Sequence, residues 1–211
     1  MPLSFNILLR SEGIEPRDVR LLRHAKRQGV PGMSPFQAWR EHREKFERYQ
    51  ATQPSKDRRY FEAPYWAAFV GTPDRRTLFV GLYAAELAEE GIAGFTCPLT
   101  GRHIEEGRTD LYSTNALDSF AQYSGKLLID WGPGTRSWGQ YADRRDKPIV
   151  EIRQDEAEPP YPGHPAFLCQ LSQVETLPLG CKALLSNARG IYLLPCPRTP
   201  EQYVGAAFAQ G

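Results

Sequence analysis

The chain has 211 residues, with 26 Lys and Arg against 25 Asp and Glu, a formal net charge of +1, and 41% hydrophobic and 11% aromatic residues. That length accommodates one large or two small domains with real cores, and the composition is that of an ordinary globular chain, not a disordered or fibrous one. No apolar run approaches the roughly 18 residues of a membrane span, and Met1-Pro2-Leu3-Ser4 lacks the charged and apolar regions of a secretory signal, so the expectation is a cytoplasmic protein without a membrane partner.

From Pro2 to about Tyr60 the apolar residues recur at helical spacing: Phe5, Leu8 and Leu9, then Val19, Leu21 and Leu22, then Phe36, Trp39, Phe46 and Tyr49. Glu15-Pro16-Arg17-Asp18 places a proline in a first turn. Ser34-Pro35-Phe36-Gln37 offers an N-cap serine, proline at the first position and glutamine at the third. Gly29-Val30-Pro31-Gly32 separates the two segments. Between Arg10 and Arg59 there are thirteen Lys and Arg and seven Asp and Glu, whereas Glu151 to Glu158 is acidic. The basic excess suits a polyanion; helix surfaces laced with ion pairs, as in Glu41-Glu44-Glu47 beside Arg40-Arg43-Arg48, give the same count.

The period then changes. Tyr65 to Gly71 and Thr77 to Tyr83 read as strands rich in aromatic and β-branched residues, joined by Thr72-Pro73-Asp74-Arg75-Arg76, and together they predict a hairpin. Lys126 to Trp131, Trp138 to Ala142 and Pro148 to Ile152 add strand candidates, while 86–120 has weak periodicity and no assignment. The expected fold class is α+β: amino-terminal helices packed on a mainly antiparallel, barrel-like sheet. A Pro-rich passage from Glu158 to Pro165 marks a crossover or boundary. After it come a strand around Phe167 to Leu171, a helix around Leu179 to Asn187, and a second hairpin.

Chemistry-bearing residues are few. Cys97, Cys169, Cys181 and Cys196 form no CxxC pair, which argues against a disulfide framework or zinc ribbon. Cys97 with His103 supplies two ligands where a tetrahedral site needs four. The four histidines are scattered, and the glycines lack the spacing of a phosphate-binding loop. Asp130-Trp131-Gly132-Pro133-Gly134-Thr135-Arg136-Ser137-Trp138 brings two tryptophans, a tight turn and a guanidinium together. That combination can stack bases or clamp a phosphate, and it also describes a tight hairpin with packed indoles. Trp131, Arg136 and Trp138 are the candidate DNA contacts, with Arg144 and Arg145 peripheral. Arg58 and Arg59 beside Tyr60 and Phe61 offer the same residue types in what reads equally as a charged turn before a strand.

In the last hairpin, Gly190-Ile191-Tyr192-Leu193-Leu194 is an apolar strand, Pro195 to Pro200 a turn, and Gln202-Tyr203-Val204-Gly205-Ala206 a second strand. Gly190-Ile191-Tyr192, with Tyr203-Val204-Gly205 about ten residues later, resembles the paired signature of the GIY-YIG nuclease family. The earlier part of the chain is similar to the amino-terminal region that accompanies the nuclease in a group of bacterial GIY-YIG proteins. The resemblance implies a DNA endonuclease of restriction or defence type. Tyr192 and Tyr203 would face the scissile phosphate, one helping to deprotonate the attacking water and one ordering the phosphate.

A phenol, ordinarily titrating near pH ~10, is a poor base until a cation stabilises its charged form. In the family that cation is Mg²⁺ or another divalent metal held by a glutamate, with an arginine on the following helix, and both would lie beyond Gly211. No metal ligand is therefore expected in this chain, which is expected to be a fragment, inactive alone. The implied organisation is a helical segment 1–60, a DNA-recognition domain 61–185 and a partial nuclease hairpin 186–211. The alternative is a non-enzymatic nucleic-acid-binding module; a third, ranked lower, is a protein-interaction domain whose Trp-rich turn grips a peptide.

Overall fold

Phe5–Ser11 forms helix α1, and its Phe5, Leu8 and Leu9 are buried. A single 3-10 turn at Pro16–Asp18 leads directly into strand β1 (Val19–His24). This corrects the helical reading of Val19, Leu21 and Leu22. β1 is covered on both faces, so its apolar residues do not alternate, and adjacent buried Leu21 and Leu22 mimic a helical stripe. The turn of Ser34 behaves as its sequence requires. Its hydroxyl accepts the Gln37 amide at 3.1 Å, capping α2 (Pro35–Glu41), which is followed by α3 (Arg43–Ala51).

A short strand β2 (Thr52–Pro54) and a 3-10 segment (Ser55–Phe61) precede the expected hairpin of β3 (Tyr65–Gly71) and β4 (Thr77–Glu89). The unassigned stretch holds a small hairpin, β5 (Phe95–Thr96) and β6 (His103–Ile104), then β7 (Thr109–Ala116) and a 3-10 turn at Asp118–Tyr123. β8 (Leu127–Ile129), β9 (Gly139–Tyr141) and β10 (Ile149–Ile152) complete the amino-terminal part. The computed structural model describes residues 3–26, 29–132, 138–154, 163–177 and 179–208, and the chain divides into two compact units, Met1–Glu156 and Ala157–Gly211.

In the first unit eight strands make one sheet in the order β10-β8-β4-β3-β1-β9, with β7 paired to β4 and β2 to β7. The fold is α+β, and the sheet is mixed and curled into a half-barrel, because β1 runs parallel to β3 while its other pairings are antiparallel. A parallel pair needs a long crossover, and α2 and α3 supply it. The 1–60 segment is thus no separate helical domain: it contributes β1 and β2 to the sheet. One face buries Phe5, Phe69, Phe79 and Phe120 with Leu21, Leu127 and Trp131. Phe5 lies 5.3 Å from Phe69 and 5.6 Å from Phe79, ring to ring. The other face is covered by Trp39 and Phe46 from the helices over Ala68, Val70 and Val80, and by Phe61 over Leu22, Trp66 and Tyr112. Each such large side chain contributes about 1.5–3 kcal/mol by leaving water.

The second unit begins at Ala157, just before the Pro-rich passage. Where a strand was expected around Phe167 to Leu171, the chain forms 3-10 turns at His164–Ala166 and Leu171–Thr176, and Leu168 is 95% exposed. No neighbouring strand pairs with that segment, and an apolar run without a ladder partner is not a strand. Helix α4 (Leu179–Ser186) and the hairpin of β11 (Arg189–Pro195) and β12 (Gln202–Phe208) follow as expected.

Candidate functional site

The register of β11 and β12 decides what the two tyrosines can do together. Tyr192 pairs with Gly205 and Leu194 with Tyr203, so Tyr192 and Tyr203 project diagonally from the same face, their ring centroids 6.2 Å apart. Both are exposed. Gly205 is what lets Tyr192 lie across the opposite strand: a Cβ at Gly205 would stand 2.3 Å from Cζ of Tyr192 and 2.4 Å from its hydroxyl. The first motif's tyrosine and the second motif's glycine are therefore one packing unit. The turn is closed by the Cys196 amide donating to the Glu201 carbonyl at 3.0 Å. The opposite face carries Ile191, Leu193, Val204 and Phe208, all exposed.

The tyrosine face can offer two phenolic O–H groups to the oxygens of one anion. It carries no carboxylate, since its other positions are Gly190, Leu194, Gly205 and Ala207. Among the described residues no group of three His, Cys, Asp or Glu is gathered to hold a metal ion. The residues present on this face therefore do not fit Mg²⁺ by themselves.

The Trp-rich run divides differently. Trp131 is only 5% exposed and sits in the core, 5.7 Å from Phe69, with the Lys147 ammonium 4.9 Å and the Arg23 guanidinium 5.9 Å from its ring. Lys147 Nζ also donates to the Trp131 carbonyl at 2.9 Å. With its indole packed from within, Trp131 is a core residue, which corrects its assignment as a surface contact. Trp138 is half-buried and packs with Phe61 in the cluster on the other face of β1. The two indoles thus do not flank one groove. Arg136 lies outside the described residues. Arg144 and Arg145 are exposed in the turn after β9.

Sequence reasoning missed a cluster formed across the sheet edge. Arg20 is paired in register with Tyr141, its guanidinium 4.0 Å from that ring, and Arg144 stands 4.5 Å from the same ring. Tyr60 lies 5.4 Å from Tyr141 and 6.3 Å from Trp138. Its phenol is pushed above its ordinary pKa by burial. The sequence signal was Arg20 and Arg23 set among the apolar residues of β1, which by itself names no partner. A second missed group is polar and interior: the Tyr83 hydroxyl donates to Glu47 at 2.8 Å, and His24 sits edge-on to Phe46 and Tyr49. Burial raises the Glu47 carboxyl and lowers His24 to about 4.

No protein-family model matches this chain, and neither a curated protein nor a solved structure matches it.

Proposed function

We propose that β11 and β12 are the opening hairpin of a phosphodiester-cleaving site of the GIY-YIG type, in a DNA endonuclease whose first unit engages the nucleic acid. The observation that carries this is the placement of Tyr192 and Tyr203 on one face, 6.2 Å apart, with Gly205 making room for Tyr192. Two phenols converging on one phosphate can order its oxygens and orient an attacking water, the positioning term that a hydrolase requires. The apolar opposite face supports the same reading, because an isolated two-stranded hairpin is marginal and Ile191, Leu193, Val204 and Phe208 call for further structure against them. The tyrosine face carries no carboxylate for a divalent metal, so the groups that stabilise transition-state charge have to be supplied from outside that face.

Supercoiled plasmid incubated with Mg²⁺ or Mn²⁺ tests this. Residues 1–211 alone are expected not to nick it, whereas a longer protein made by joining them to the arginine- and glutamate-bearing remainder of a GIY-YIG domain is expected to do so. In that longer protein Tyr192→Phe should lower nicking on the order of 100-fold or more, and Gly205→Ala should lower it comparably by displacing the Tyr192 ring. Nicking by the longer protein that is indifferent to both changes, or no nicking at all, overturns the proposal.

The second reading, a nucleic-acid-binding module without chemistry, is favoured by the cation-rich aromatic surface around Tyr141. It expects nucleic-acid binding at every length of chain and cleavage at none.

A further inference from the structure

The edge of the sheet at β9 carries two arginines that no carboxylate among the described residues pairs with. Arg20 and Tyr141 leave the same face of paired strands, and the guanidiniums of Arg20 and Arg144 both rest on the Tyr141 ring, at 4.0 and 4.5 Å. Arg20 is tethered by carbonyls only, Nε to Tyr60 at 2.9 Å and Nη1 to Arg17 at 3.4 Å. Among the described residues neither Arg20 nor Arg144 forms an ion pair. Two like charges held on one ring repel, and an anion bridging them removes that repulsion.

Beside this pair lie aromatic edges. Tyr60 and Trp138 are half-buried with rings 6.3 Å apart, and Gly139 admits Tyr60 onto the β9 backbone, since a Cβ there would meet the phenol oxygen at 2.6 Å. Tyr60 also lines an open depression of about 640 Å³ over the 3-10 segment, together with Lys56, Arg59, Asp57 and Glu62. Arg58 in that depression is committed to Asp110 and Glu90, whereas Lys56 and Arg59 have no carboxylate partner among the described residues. Guanidiniums without a carboxylate partner among the described residues, half-buried aromatic rings and a concave floor, continuous through Tyr60, are the parts with which proteins hold unstacked nucleotides.

We propose that this surface binds a single nucleic-acid strand, with phosphates on Arg20 and Arg144 and bases against Tyr60 and Trp138, the strand continuing over the depression toward Lys56 and Arg59. It rests on the nucleic-acid reading given above and locates it on residues of the first unit. A single strand is favoured over a duplex because the half-buried rings of Tyr60 and Trp138 offer contact to unpaired bases, which bases stacked inside a duplex cannot use.

Fluorescence anisotropy of a labelled single-stranded DNA of ~20 nucleotides, titrated with residues 1–211 at several salt concentrations, tests it. The Arg59→Gln/Arg144→Gln protein is expected to bind about 10-fold or more weakly, with the slope of log affinity against log salt smaller by about 1.4. Arg10→Gln/Arg102→Gln, an equal charge change at exposed positions elsewhere, is expected to stay within about twofold of the parent. Unlabelled duplex at equal phosphate concentration is expected to compete at least about 10-fold less well. Equal weakening by the two double variants, no weakening by either, or equal competition by duplex overturns the proposal. Strand binding and plasmid nicking are read separately. Arg144-dependent binding without nicking by any length of chain removes the nuclease reading alone, and Tyr192-dependent nicking with Arg144-independent binding removes this one alone.

Discussion

His24 is an imidazole placed where burial disfavours its charged form. It is 4% exposed, its Nε2 is buried without a hydrogen-bond partner, and two aromatic rings meet it edge-on at 5.6 and 5.5 Å. Burial lowers its pKa from the usual 6.5 to about 4, against a smaller opposing pull from Gln50. As pH falls below 6.5 the unfolded chain takes up a proton that the folded chain refuses until about 4, so stability falls through that window. Between pH 7 and 4.5 the loss from this residue should be roughly 2–3 kcal/mol. Glu47, raised by burial, opposes it, because the folded state then holds a proton more tightly than the unfolded. Asp110, held down to about 2 chiefly by hydrogen bonds from Arg58, gives up its contribution only between pH 3.8 and 2, below the window. Urea midpoints at pH 7 and 4.5 should therefore diverge more in the parent than in His24→Leu; equal differences would contradict the assignment.

Among the elements, the 3-10 segment Ser55–Phe61 depends most on a distant strand. Asp110 of β7, fully buried, accepts Arg58 through Nε at 2.7 Å and Nη2 at 2.9 Å, Ser55 Oγ at 2.9 Å and the Gly91 amide at 2.8 Å. This clamp fixes the segment that presents Lys56 and Arg59 to solvent and packs Tyr60 against β9. Removing one partner of a buried pair strands the other, and because Arg58 is one-third exposed, water recovers part of the loss. Asp110→Asn should destabilise by about 2 kcal/mol, seen as a lower urea midpoint at unchanged m. A loss under ~0.5 kcal/mol would show that the clamp is dispensable.

At the scale of the molecule the two units differ in what they bury. The first holds three apolar clusters around an eight-stranded sheet. In the second, most of the described apolar side chains of the hairpin, α4 and the 3-10 turns are exposed, Leu177 and Cys181 being buried exceptions. Residues 1–154 alone are expected to unfold in one cooperative transition, while 163–211 alone should show no cooperative melt, being one short helix and a two-stranded hairpin. Circular dichroism on the two fragments decides this, and a cooperative transition in 163–211 would refute the contrast.

What the sequence determined by itself is local. Ser34-Pro35 set a helix start, Thr72-Pro73-Asp74 joined two aromatic strands, and Tyr192 with Tyr203 lay at a spacing that one hairpin register brings to a single face. Each of these is encoded within some ten to twenty residues, through capping, turn chemistry and period-two alternation. Only the tertiary structure decided that Val19–His24 is an inner strand, because burial on both faces erases alternation. It also decided that Trp131 is core and that Arg20 meets Tyr141. Those contacts join residues 62 and 121 positions apart, where the register of a curled sheet, and not any local preference of the backbone, determines which side chains share a face.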